Sequence, residues 1–162
     1  MLTDDQYLAL NVLKEAGGEI PDGQAAIARV TLNRMRLKFF SDGTIAGTVL
    51  RKDQFSWAYF DMVNGVYTRV CWTPQEAQAR ANVLYNSAPS GQIAKCLTIA
   101  GAVFAGTYRG TLYDQLTDDA VLYCNPAILT KSPAWAIPSA KVCSIGHHDF
   151  YRSVPIAEGL IS

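Results

Sequence analysis

The sequence predicts a mainly helical α+β fold in one domain, residues 1–162. Capping boxes and 3.6-residue apolar spacing fill its first two thirds, short β-prone runs follow Gly110, and no repeat, low-complexity tract or Ser/Gly linker separates the two textures. A chain of this length buries roughly 68–70% of its unfolded surface on folding, so a core can form without covalent staples.

The first helix should begin at Asp4, because Thr3 and Gln6 form a capping box and Asp4 and Asp5 favour the positive end of the helix dipole. Leu8, Ala9, Val12, Leu13 and Ala16 keep helical spacing, and Gly17-Gly18 is expected to supply a left-handed stop near Ala16. A second helix is predicted over Asp22 to Leu37, with Ala26, Ile27, Val30 and Leu37 facing inward, and a shorter one over Ile45 to Lys52. Thr73-Pro74-Gln75-Glu76 is a second capping box with Pro at the first helical position, and Ala77, Ala81 and Leu84 follow on one face. The apolar run from Cys96 to Gly106 is too short to span a bilayer and reads as a buried helix. Val121–Cys124 and Val142–Ile145 are β-prone runs expected to pair as a small C-terminal hairpin across a loop containing Pro126, Pro133 and Pro138.

Fourteen basic and fourteen acidic side chains leave no net charge, which argues against nucleic acid or an anionic membrane as a partner. The four cysteines, Cys71, Cys96, Cys124 and Cys143, form no C-x-x-C pair and read as reduced, mostly buried thiols. The opening Met-Leu-Thr-Asp-Asp-Gln does not have the basic start of a signal peptide, so the expected site of accumulation is a cytoplasm.

At 100° per residue, Glu15 falls within about 20° of Leu8, on the apolar face of the first helix. Two readings are open: the side chain frays outward in the last turn, or it stays at the core edge, where desolvation raises its pKa and suits it to donate a proton.

Three groups of residues carry a family resemblance: Glu15-Ala16-Gly17-Gly18-Glu19, Gly23-Gln24-Ala25-Ala26 and Val30-Thr31-Leu32-Asn33-Arg34. With Gln54-Phe55-Ser56, Leu122-Tyr123-Cys124-Asn125-Pro126, Pro133-Ala134-Trp135-Ala136 and Ile145 to Arg152, in that order, the chain resembles the SleB-like cell wall hydrolases. The resemblance implies a lysozyme-like helical domain that cuts the β-1,4 bond between N-acetylmuramic acid and N-acetylglucosamine in peptidoglycan. It implies lytic transglycosylation with Glu15 as the catalytic acid, no cofactor and no metal. Glu19 matches the family's second Glu. It is either a second catalytic carboxylate or, the reading favoured here, an anchor accepting N–H groups of its own turn or the next helix. A hydrolytic variant would need a second carboxylate, for which Asp114, Asp118 and Asp119 qualify by type alone.

Gly17 stands where the family has Arg, which removes a cation beside Glu15, and Cys124 stands where a His often follows Tyr123. Tyr123 is expected to line the cleft and bond the sugar or Glu15, and His148 to hold the hairpin against the cleft wall while His147 faces solvent. Adjacent strand histidines point to opposite faces, so the pair is not expected to share a metal with Cys124 or Cys143. Isolated aromatics such as Tyr59, Phe60, Trp72 and Tyr151 read as core, whereas Trp57 and Trp135 adjoin matched motifs and are expected to border the cleft, with Gln54 and Ser56 reaching substrate. The expected protein is a monomeric phage endolysin, held in the host cytoplasm before release onto peptidoglycan strands. The competing readings are a two-carboxylate muramidase, a zinc amidase and a non-catalytic glycan-binding virion protein.

Overall fold

The computed structural model describes residues 1–154. Helix α1 (Asp4–Ala16) begins under the predicted capping box and runs through the middle of the molecule. Tyr7 to Val12 are buried on every side, as expected of a helix surrounded by others. Around it pack α2 (Pro21–Leu37), the one-turn α3 (Ile45–Val49), α5 (Pro74–Ser87) and α6 (Ser90–Phe104). The second capping box starts α5, and Cys96, Ile99, Ala100 and Val103 bury the inner face of α6.

Three local expectations need correction. Gly17 keeps right-handed helical dihedrals, and α1 ends without a left-handed residue. The buried Gln24 side chain reaches back from α2 and donates to the Ala16 and Gly17 carbonyls, doing the work of a glycine cap. Leu37, expected inward, is 53% exposed because it ends α2 beyond the packed surface, and the third helix stops at Val49 rather than Lys52.

The C-terminal strands are three: β3 (Ala120–Cys124), β4 (Lys141–Ile145) and β5 (His148–Arg152), in the antiparallel order β3-β5-β4. The two runs expected to pair with each other both pair with β5 instead. A two-residue turn at Gly146 (φ 59°) and His147 joins β4 to β5, whereas a β3–β4 hairpin would have to close a loop of sixteen residues, 125–140. A second hairpin precedes α5: the short helix α4 (Ser56–Tyr59) leads into β1 (Phe60–Val63), which turns at Asn64-Gly65, both at positive φ, into β2 (Val66–Arg69).

Polar side chains of α2 fasten the segment before the sheet. Asp22 accepts from the Tyr108 hydroxyl and the Leu112 and Tyr113 N–H groups, and Asn33 donates to the Thr117 and Ala120 carbonyls. Arg29 pairs with Asp118 at 2.6 Å and Arg36 donates to the Asp118 carbonyl. Register in β3 slips between Ala120 and Leu122, a bulge that turns the Val121 carbonyl out of the ladder and onto Arg34 Nε at 2.6 Å.

Asn11, fully buried in α1, donates to Thr31 Oγ1 and accepts the Trp57 indole N–H at 2.9 Å, tying α1, α2 and α4 together. Replacing it with Leu keeps its bulk but orphans the buried indole donor, so Asn11→Leu should lower the unfolding free energy by about 1–3 kcal/mol in denaturant titrations followed by tryptophan fluorescence.

Candidate active site

Glu15 lies in the last turn of α1, half-buried, not frayed. Its Oε2 accepts a hydrogen bond from the Tyr123 hydroxyl of β3 at 2.6 Å, while Oε1 has no protein partner among the described residues. Burial raises the Glu15 pKa above the ordinary carboxylate value, opposed by the Tyr123 hydrogen bond and by the charge of Arg34. Burial likewise pushes the Tyr123 phenol well up, reinforced by Glu15, so it remains a donor.

Arg34 ends the Val30-Thr31-Leu32-Asn33-Arg34 motif. It is buried on the sheet-facing side of α2, fixed by the Val121 carbonyl and stacked 5.2 Å from the Phe55 ring. Burial lowers its pKa, and the charges of Tyr123 and Glu15 oppose that. The cation missing at Gly17 therefore comes from the neighbouring helix. A buried arginine in the second helix was the signal available in the sequence, but its partner is a bulge carbonyl that no local pattern announces.

Glu15 opens onto a groove of about 560 Å³. Lys14, Gly18 and Glu19 line it from the end of α1 and the turn after it, Asn125 and Ile128 from the segment after β3, and His147 and His148 from the β4–β5 turn. Glu19, its side chain 9% exposed, accepts from the His147 backbone N–H. The His147 Nδ1 lies 3.1 Å from Glu19 Oε1, and the buried His148 Nδ1 lies 3.3 Å from the same oxygen, off the line of a hydrogen bond. The N–H group that Glu19 accepts from thus belongs to the β4–β5 turn and not, as expected, to its own turn or the next helix. The two histidines do not diverge as strand neighbours would, because His147 belongs to the turn; both meet a carboxylate. Among the described residues no group of His, Cys, Asp and Glu is arranged as a metal site.

Other expected site residues lie elsewhere. Trp57 is 8% exposed and in the core, its indole N–H consumed by Asn11, so it does not border the groove. Trp135 packs edge-on against Tyr151, and neither it nor Gln54 nor Ser56 lines the groove. Trp72, read as core, is 62% exposed. Asp118 and Asp119 are held by Arg29 and Arg152 outside the groove, and Asp114 lines the separate cavity beside Arg29. In that cavity, about 450 Å³, Arg29 keeps the Asp118 carboxyl below its usual range. In a third, about 600 Å³ beside Tyr7, hydrogen bonds from Thr44 do the same to Asp42. All four cysteines are free thiols, and only Cys124 among them is not buried.

Residues 18–151 match the family model described as Cell Wall Hydrolase. The chain belongs to the cell wall hydrolase family. The match takes in Glu19, Tyr123 and His148 and begins three residues after Glu15. Among solved structures, this cell wall hydrolase is similar to the catalytic domain of the germination-specific lytic transglycosylase SleB from Bacillus anthracis. The two are 23% identical over 92% of this chain and 93% of that one, with a TM-score of 0.56, a likeness of fold that agrees with the α+β architecture. The catalytic domain of the Bacillus cereus SleB protein is also 23% identical, over 92% of this chain and 89% of that one, with a TM-score of 0.48. No curated protein matches the chain.

Proposed function

We propose that this cell wall hydrolase cleaves the β-1,4 bond between N-acetylmuramic acid and N-acetylglucosamine in peptidoglycan as a lytic transglycosylase, with Glu15 as its single catalytic acid and base. The observation that carries the reading is the Glu15 carboxyl itself: raised in pKa by burial, bonded through one oxygen to Tyr123 and open to a groove through its residue's surface. Protonated Glu15 gives its proton to the glycosidic oxygen as the bond to C1 breaks. The carboxylate left behind, supported by the Tyr123 hydroxyl and by Arg34, then takes the proton of the C6 hydroxyl as that oxygen closes on C1, giving a 1,6-anhydro sugar. Glu19, the other carboxylate lining the groove, is occupied by the His147 N–H and ring, which supports a one-carboxylate scheme over a muramidase pair.

Mass spectrometry of sugars released from purified peptidoglycan tests the proposal. Expected are 1,6-anhydro muropeptides. Reducing ends would point to hydrolysis, and free stem peptides would sink the glycosidase reading.

The lysis role of a monomeric phage endolysin is part of the same proposal. Cells producing the protein in their cytoplasm should lyse only once their membrane is permeabilised, and the purified protein should sediment as a monomer.

A further inference from the structure

Resting on the reading of Glu15 as the acid, we infer that Glu19 is a positioning residue for it, acting through the His147–His148 turn and the Tyr123 ring. The contacts form a closed ring. Glu15 and Glu19 sit at the same end of α1, the second tied back by its N–H to the Ala16 carbonyl at 3.0 Å. Glu19 clamps the β4–β5 turn through the His147 N–H and faces both imidazoles. His148 lies edge-on to Tyr123, ring centres 5.4 Å apart at 88°. Tyr123 returns to Glu15 through its 2.6 Å hydrogen bond.

The clamp has little slack. A Cβ at Gly146 would fall on Glu19 Oε2, and one at Gly23 would come within 3.2 Å of Glu19 Cβ, so the side chain is seated between two glycines. Gly146 is also at φ 59°, where a side chain is strained. Its position therefore sets how far the turn, and with it His148, stands from α1. Phe150 lies 5.9 Å from Tyr123 and 6.2 Å from His148, so the three rings form one cluster through which a shift of His148 reaches Tyr123.

An anchor that only adds stability and one that positions Glu15 make opposite forecasts. The groups facing Glu15 are Tyr123 from β3, Arg34 from α2, Lys14 on its own helix, and Glu19, His147 and His148, which line the same groove; Asp149 follows His148. Removing the Glu19 charge acts directly on Glu15 by weakening repulsion, which lowers its titration. Loosening Tyr123 removes a hydrogen bond to the carboxylate, which raises it.

The test compares Glu19→Gln, Tyr123→Phe, their double variant and His148→Ala. Glu15 titration is followed by carbon-13 NMR of its labelled carboxyl, and kcat and KM are measured on soluble glycan fragments below each thermal midpoint. Glu19→Gln should raise the Glu15 titration, as Tyr123→Phe does, with no further rise in the double variant, and should lower kcat by about 10- to 100-fold with KM within about twofold, the scale of a misplaced catalytic group. His148→Ala should raise the titration too, and it decides the matter if Glu19→Gln does not fold. A lower thermal midpoint with kcat and titration unchanged, or a titration that falls, overturns the inference. Because the titration is read without turnover, an active Glu15→Gln protein would defeat the acid assignment and leave this test standing.

Discussion

Glu15→Gln should retain about 10⁻² to 10⁻⁴ of the parental turnover on peptidoglycan, the usual share of acid–base catalysis, because Gln keeps the size and one acceptor of the side chain but has no proton to donate. The fold should survive, since the Tyr123 hydroxyl can still donate to the amide oxygen. The pH dependence of stability supplies a second readout, with a sign that can be worked out. Burial raises the Glu15 pKa, so the folded chain holds that proton more tightly than the unfolded chain. The stability this provides is complete below the ordinary carboxylate pKa and is lost as pH rises through the folded value. Gln suffers no such loss. The difference between variant and parent midpoints should therefore move in favour of the variant as pH is raised from acid to neutral. Near-parental clearing of the wall, or a difference that moves the other way, refutes the assignment.

Arg34→Met should act on stability and chemistry together. The variant loses a charge-assisted hydrogen bond and leaves the Val121 carbonyl without its donor, at a cost of roughly 1.5–3 kcal/mol in chemical denaturation. It also removes the cation that lowers the Glu15 pKa, so the acid should stay protonated to higher pH and the alkaline limb of the activity profile should move up. The carboxylate that must accept the C6 hydroxyl proton loses its counter-charge, which should reduce turnover across the profile. An alkaline limb that stays in place or moves down would show that the guanidinium does not govern Glu15.

What could be read ahead of the structure divides by range. Both capping boxes and the start of α1 at Asp4 follow from patterns within a few residues, and the structure agrees with them; the same spacing leaves Glu15 open between fraying outward and staying at the core edge, and the structure buries it. Tyr123 as a partner of Glu15 came from the family resemblance, since nothing local joins residues so far apart. The central place of β5 was hidden because strand pairing depends on which loops close most easily, not on the strands' own composition. The expectation that Trp57 borders the cleft rests on its place beside Gln54-Phe55-Ser56; Asn11, from another helix, takes its N–H in the core. The hairpin at Asn64-Gly65 carries a local signal that the sequence reading above does not use, an Asn-Gly pair between apolar runs, and in the structure both residues take positive φ.

The hydrogen bond between Glu15 and Tyr123 joins residues 108 positions apart, and that separation bears on when activity appears during folding. Contacts of such sequence distance form late, after the entropy of closing the intervening chain has been met. A chain with its helices in place and its sheet still undocked has Glu15 in water, with an ordinary carboxylate pKa, and is inert. Activity should then emerge with sheet docking and lag behind the recovery of helical signal, which makes turnover during refolding a clock for the last step of assembly.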